Sequence, residues 1–287
     1  MAHYMIPITD PAVLAARPLF EPVAGWLRHF RDGALPDVAA LNAALASIAP
    51  PPRAASGAPI RFVLPDAGDA GYEERVHARG EVDTRPGNWH DFFNALAWFA
   101  YPRTKRILNG RHHAALQAQS AAGRSERGAV RDAVTQFDEC GIVVVSADPA
   151  LLDLLRGHEW KALFWQQRAQ LARDMRFFVF GHATWDALRA PFVGLAAKAV
   201  LLEVEPAWLL RPLGQQVDDT DSRLAHIFSR SDAYARPRDF QPLPLLGIPG
   251  VVAENAAAAY YDDTRQFRPR RQEKGPAEAG PEMEAEV

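Results

Sequence analysis

Apolar positions along this chain follow two rhythms. One repeats every three to four residues, as on an amphipathic helix; the other is a short unbroken run, as in a strand covered on both faces. "RPLFEPVAGWLRHFRDG" places Leu19, Val23, Trp26, Leu27 and Phe30 on one helical face that ends near Gly33, and "LPDVAALNAALASI" predicts a second helix with Pro36 in its first turn. "IRFVLP" and "YEERVHARGEV" read as two strands joined by the Gly- and Asp-rich "DAGDAG". Two helices follow in "GNWHDFFNALAWFAYPRTKRILNGRHH", residues 87–113, and "SAAGRSERGAVRD" reads as a loop or weak helix.

Beyond it, "CGIVVVSADPALLDLLRGHEWKALFWQQRAQLARD" predicts a buried strand over Ile142–Val145, a turn, and one or two helices, with "HEWKALFW" on an amphipathic core helix. "MRFFVFGHATWDALRAP" repeats the order strand, glycine turn, short helix. "KAVLLEVEP" reads as a strand, "DDTDSRLAHIFSRSD" as a helix, "PLPLLGIPGV" as an extended segment and "AENAAAAYYDDTRQF" as a short helix. The pattern predicts a helix-rich mixed α/β fold with a central sheet of about five strands in partly parallel order, with α+β as the alternative. No Gly/Ser linker interrupts residues 1–268, which read as a single domain with a helical N-terminal part. Residues 269–287 are charged and lack aromatics, and read as a disordered tail.

Composition narrows the function classes. Of 287 residues, 48% are hydrophobic and 23% charged, and the net charge is −3, which favours neither nucleic acid nor membrane. The single cysteine, Cys140, precludes an internal disulfide and fits a reducing compartment. The N-terminus lacks the pattern of a signal peptide, and no apolar stretch is long enough to span a bilayer, so the expectation is a cytoplasmic protein without membrane association.

The chain contains no Walker loop, no G-x-G-x-x-G, no H-E-x-x-H and no G-x-S-x-G. The helix pair at 87–113 is the strongest remaining candidate. On a helical wheel, Trp89, Phe92, Phe93, Leu96, Phe99 and Ala100 cover one face; His90, Asn94 and Tyr101 form the other, with Asp91 at its edge. The second helix carries Lys105, Asn109 and His112 in one stripe. If the Tyr101–Pro102 corner closes antiparallel, His90 meets His112; His90, Asp91 and His112 then suit a divalent metal ion or acid–base catalysis. If it opens to a right angle, the histidines lie more than about 20 Å apart and the site dissolves. The structural alternative makes Asn88 and Asp91 a helix cap and its N3 partner, the asparagines cross-helix ties, and the histidines buried polar groups; His113 reads as surface.

From Pro102 to Arg131, seven basic residues face one acid, Glu126. With Lys105 on the stripe, this suggests an anionic small-molecule ligand, with Asn94 and Asn109 positioning it. No stacking platform supports a nucleic-acid partner. His182, after a predicted strand, is a further ligand-binding candidate, the alternative being a turn capped by Thr184. Asp138 and Glu139 form a carboxylate pair at the strand end less often used for binding, where an ion pair with Arg131 is the simpler expectation.

"NWHDFFNALAWFAYPRTKRILNGRHH", "QFDECGIVVVSADPALLDLLRGHEWKALFW", "FGHATWDALRAPFVGLAAKAVLLEV" and "PLPLLGIPG" resemble the bacterial family catalogued as domain of unknown function 3025, over residues 15–270 or so. The resemblance implies a one-domain cytoplasmic protein and transfers no activity. On the residues alone, the expectation is a hydrolase or lyase acting on an anionic small molecule. The alternative is a non-catalytic ligand-binding or interaction module whose His/Asn stripe is structural.

Overall fold

The computed structural model describes residues 6–31, 33–65, 71–121 and 128–270. Its elements run α1 (Pro11–Leu14), α2 (Ala24–His29), α3 (Val38–Leu45), β1 (Arg61–Val63), α4 (Tyr72–Arg79), β2 (Glu81–Asp83), α5 (Trp89–Ala100) and α6 (Pro102–Ala121). Then follow α7 (Ala129–Cys140), β3 (Gly141–Ser146), α8 (Pro149–Gly157), α9 (Arg168–Asp174), β4 (Met175–Val179), α10 (His182–Leu188), β5 (Ala196–Glu203), α11 (Leu213–Ser229) and β6 (Gln241–Pro244). The segment Ala162–Gln166 winds as a π-helix just before α9. The mixed α/β, helix-rich expectation holds.

Among the described residues the sheet is smaller than expected: four strands in the order β4-β3-β5-β6, with β1 and β2 forming a separate two-stranded parallel pair. β3 and β5 run parallel from Gly141↔Lys198 to Ser146↔Glu203. β4 pairs with β3 antiparallel, Ile142 opposite Val179. All six residues of β3 are buried, which explains its unbroken apolar run. Each large aliphatic side chain there contributes roughly 1.5–3 kcal/mol by leaving water.

"YEERVHAR" is a helix, not a strand. Glu73 and Glu74 occupy its first turn, His77 and Arg79 its last, and Gly80 ends it in the left-handed conformation (φ 70°). A side chain at Gly80 would also collide with the Pro59 carbonyl. The strand reading survives only in Glu81–Asp83. Residues 66–70 of the joining segment lie outside the described residues, as do 122–127 and, from residue 271, the expected tail. Within "SAAGRSERGAVRD", the residues from Ala129 form the first turn of a twelve-residue helix.

α5 is capped as expected. Asn88 Oδ1 accepts from the Asp91 N–H at 3.0 Å. α6 starts on the buried Asp221 carboxylate of α11, which accepts the Arg103 and Thr104 N–H groups at 3.0 and 2.8 Å. α5 packs chiefly on α10, whereas α6 packs on α7, α11 and α4. The two helices of the sequence candidate therefore diverge onto different neighbours.

Candidate functional site

Those neighbours enclose a cavity of 440 Å³. Tyr72, Glu73 and Val76 come from α4, Asp83 and Arg85 from the end of β2 and beyond, and His90, Asp91, Asn94 and Trp98 from α5. Lys105, Leu108, Asn109 and His112 come from α6, Val134, Thr135, Asp138 and Glu139 from α7, and His182 from α10. The candidates His90, Asp91, Asn94, Lys105, Asn109, His112 and His182 therefore all reach one cavity, but not in the expected groupings.

His90 does not pair with His112. Its ring stands edge-on to His182, centroids 4.5 Å apart. His90 Nε2 lies 3.8 Å, and His182 Nε2 3.3 Å, from Glu139 Oε2. One ligand atom from each of His90, Glu139 and His182 falls within 4.8 Å of the others. Ligands about 2.0–2.1 Å from a tetrahedral zinc ion lie roughly 3.3–3.5 Å from one another, so small side-chain adjustments close this set around an ion. His182 is almost fully buried, and burial drives its pKa down to about 3 despite the nearby Asp138 carboxylate. It therefore presents the neutral imidazole that a metal requires. Burial and then the Asp138 charge raise the Glu139 carboxyl, a penalty that a cation at this point would relieve.

Strand direction creates this meeting. α7 ends at Cys140 and runs straight into β3, while α10 begins just beyond β4, after Phe180 and Gly181. Because β3 and β4 are antiparallel, the start of one adjoins the end of the other. The Phe180 and Gly181 N–H groups both donate to the Gly141 carbonyl, at 3.0 and 2.8 Å. Gly181 permits the approach: a Cβ there would lie 2.4 Å from the Glu139 carbonyl oxygen. Gly181, rather than a side chain of Thr184, precedes the helix as its cap.

The other candidates take different roles. Asp91, expected as a metal ligand, lines the cavity but is bound to Arg85 and is not part of the His90–Glu139–His182 group. Its two oxygens accept from the Arg85 N–H, Nε and Nη2 at 2.7–2.8 Å. Burial alone would raise its carboxyl, but those bonds more than offset it and hold the pKa low. His112, the other expected ligand, faces Glu73 Oε2 through Nδ1 at 3.4 Å and accepts at Nε2 from Arg131 Nε at 3.5 Å. Lys105, expected to bind an anion, donates to Asn94 Oδ1 at 2.9 Å and to both Asp138 oxygens at 2.7 and 2.9 Å. An ammonium has three N–H donors, so none remains for a ligand anion. Asp138 thus pairs with Lys105 and not with Arg131, whose guanidinium also holds Gln119. His113 is half-buried, stacked on His77 with centroids 3.7 Å apart.

Sequence reasoning passed over Tyr72 and Glu73 because it placed them on a strand. The signal that would have recovered them is the acidic first turn, basic last turn and terminal Gly80 of "YEERVHARG". Asn94 Nδ2 donates to the Tyr72 hydroxyl at 3.0 Å. Burial, reinforced by the Glu73 charge, holds the Tyr72 pKa well above its ordinary value, so this hydroxyl keeps its proton.

The fold and cavity together define a mixed α/β protein with a candidate two-histidine, one-carboxylate metal centre. Among the described residues, no helix is long and apolar enough to cross a membrane. The chain belongs to the DUF3025 family, described as "Protein of unknown function (DUF3025)", whose match covers residues 60–271 and so includes every residue lining the cavity. Neither a curated protein nor a solved structure matches the chain.

Proposed function

We propose that this protein is a metal-dependent hydrolase of a small molecule, with one divalent ion held by His90 Nε2, Glu139 Oε2 and His182 Nε2. The observation that carries the reading is the convergence of these three residues' ligand atoms within 4.8 Å on the wall of a 440 Å³ cavity. Two imidazoles and one carboxylate on a cavity wall would supply the three protein ligands of a catalytic zinc site. Bound there, such an ion would supply Lewis acidity to activate water near neutral pH.

The chain's own residues support that chemistry. Asp138 Oδ2 lies 3.8 Å from His182 Nδ1, a buried nitrogen without a hydrogen-bond partner, and is the acceptor that this N–H would meet if the ring moved to hold an ion at Nε2. Lys105 fixes Asp138 in turn. The Tyr72 hydroxyl accepts from Asn94 and keeps its own proton for a developing oxyanion in the cavity. With Lys105 engaged by Asp138 and Asn94, the reading does not require an anionic substrate.

The test is metal analysis and zinc titration of purified protein, with His90→Ala as the principal variant because His90 is partly exposed. The expected result is one zinc ion per chain, a loss of at least about a hundredfold in affinity in His90→Ala and Glu139→Gln, and hydrolysis of some member of a small ester, amide and phosphoester panel that both variants lose. Zinc, manganese and iron(II) all binding more weakly than about 10 μM, a far lower affinity than a structured site of this kind gives, overturns the reading. So does metal binding that survives both substitutions.

A further inference from the structure

We infer that the cavity selects a substrate bearing a protonated amine, with Glu73 as its counter-ion; the inference rests on the metal-centre reading and adds a recognition arm to it. Five carboxylates line the cavity: Glu73, Asp83, Asp91, Asp138 and Glu139. Three have permanent cations, Arg75 on Asp83, Arg85 on Asp91 and Lys105 on Asp138. Glu139 belongs to the metal cluster. Among the described residues, Glu73 is left without an arginine or lysine.

Two polar side chains stand beside it instead. Asn109 Nδ2 approaches Glu73 Oε2 at 3.4 Å, and His112 Nδ1 lies 3.4 Å from the same oxygen. Arg131 Nε donates to His112 Nε2, and the buried His112 Nδ1 makes no hydrogen bond, to Glu73 or to any other group. His112 and Asn109 are each 5% exposed, so this side of the carboxylate meets buried polar groups rather than a lysine or arginine. The Glu73 side chain itself is 33% exposed, open to a ligand.

The cavity also asks for hydrogen-bond donors. Two buried acceptor oxygens on its lining residues, Asp83 Oδ1 and Asn109 Oδ1, have no partner. An ammonium is a donor with no acceptor capacity and so suits an acceptor-rich wall. The opposite charge finds no lysine or arginine partner among the described lining residues, because Lys105 and Arg85 are consumed by Asp138 and Asp91. The metal is then the cation available to the reacting end of the substrate. Val76 and Leu108 supply apolar surface for the carbon chain between the two ends, and the volume lies in the range of small-ligand pockets.

Two measurements test this. Zinc-loaded protein is titrated with ω-amino alkyl hydroxamates of two to six carbons, each against the plain alkyl hydroxamate of equal length. Metal-free protein is titrated by NMR with n-pentylammonium against n-pentanol. In the wild type, at least one amino hydroxamate binds about tenfold or more tighter than its alkyl counterpart, the scale of one charged hydrogen bond. Pentylammonium is likewise preferred over pentanol. Glu73→Gln abolishes both preferences while its zinc content and thermal midpoint match the wild type. Equal binding of amino and alkyl members through the whole series, or a preference that survives Glu73→Gln, overturns the amine arm and leaves the metal centre standing. An amine preference that depends on Glu73 in a protein that takes up no zinc overturns the metal centre alone.

Discussion

Lys105 decides how the cavity's charge is read. Replacing it with Met keeps the length of the side chain and removes the ammonium. Its side chain is 6% exposed and that of its partner Asp138 24%. The substitution strands a largely buried carboxylate, which either stays ionised without a counter-ion or takes up a proton. The second route sets a ceiling. Holding an aspartate of reference pKa about 3.9 neutral at pH 7 costs about three units at roughly 1.4 kcal/mol each, or about 4 kcal/mol. Breaking one partner out of a buried ion pair typically costs about 3–5 kcal/mol, in agreement. The partial exposure of Asp138 moves the expectation to the lower end, about 3 kcal/mol. For a chain of this size that corresponds to a fall of roughly 5 °C in Tm. The assay is urea unfolding at pH 7 in the presence of a chelator, so that metal binding adds nothing to the folded state. Lys105→Met combined with Asp138→Asn removes the stranded charge and recovers at least half of the loss. A loss below about 1 kcal/mol in Lys105→Met, on the scale of an exposed pair, refutes the reasoning. It would mean that Lys105 is not a committed counter-ion and is free to receive an anionic ligand.

Gly181→Ala places a Cβ against the backbone of Glu139, Cys140 and Gly141, none of which is a flexible side-chain end. It should cost at least about 2 kcal/mol and weaken zinc binding at the same time, as read by unfolding and zinc titration; unchanged zinc affinity would separate the β3–β4 contact from the metal centre. Asp219 accepts from Trp208 Nε1 and Arg223 Nε, both at 2.6 Å, and these bonds outweigh the effect of burial and hold its pKa low. Its stabilisation is therefore present above the unfolded-state pKa of about 3.9 and disappears as pH falls through the lower folded-state value. Urea titrations of wild type and Asp219→Asn should differ by about 1 kcal/mol at pH 7, and the gap should narrow as pH falls below about 3.9; a gap that does not change with pH contradicts this.

Local information in the sequence is enough for most elements, because it acts over a few residues. The apolar run Ile142–Val145 could bury itself only as a central strand, and Asn88 and Asp91 announce the start of α5. The helix Tyr72–Arg79 is equally local but reads as a strand, since it has few apolar residues to mark a helical period and its end signals, the charged turns and Gly80, are easily passed over. With it go Tyr72 and Glu73, half of the cavity's recognition wall. The candidate residues themselves are nearly all legible as chemistry. Their partnerships are not. Whether Lys105 meets an anion or Asp138 depends on α7 docking against α6, a contact between positions 33 residues apart.

Strand direction is the deepest case. The sequence by itself determined that Glu139 stands just before one strand and His182 just after another. Had those strands run parallel, their ends would lie at opposite edges of the sheet, about 17 Å apart for about five residues at roughly 3.3 Å each. Hydrophobic periodicity is the same for both directions, so nothing within either segment distinguishes them. Only the tertiary structure, by pairing β4 antiparallel to β3 and admitting Gly181 against the Glu139 backbone, set His182, Glu139 and His90 around one point.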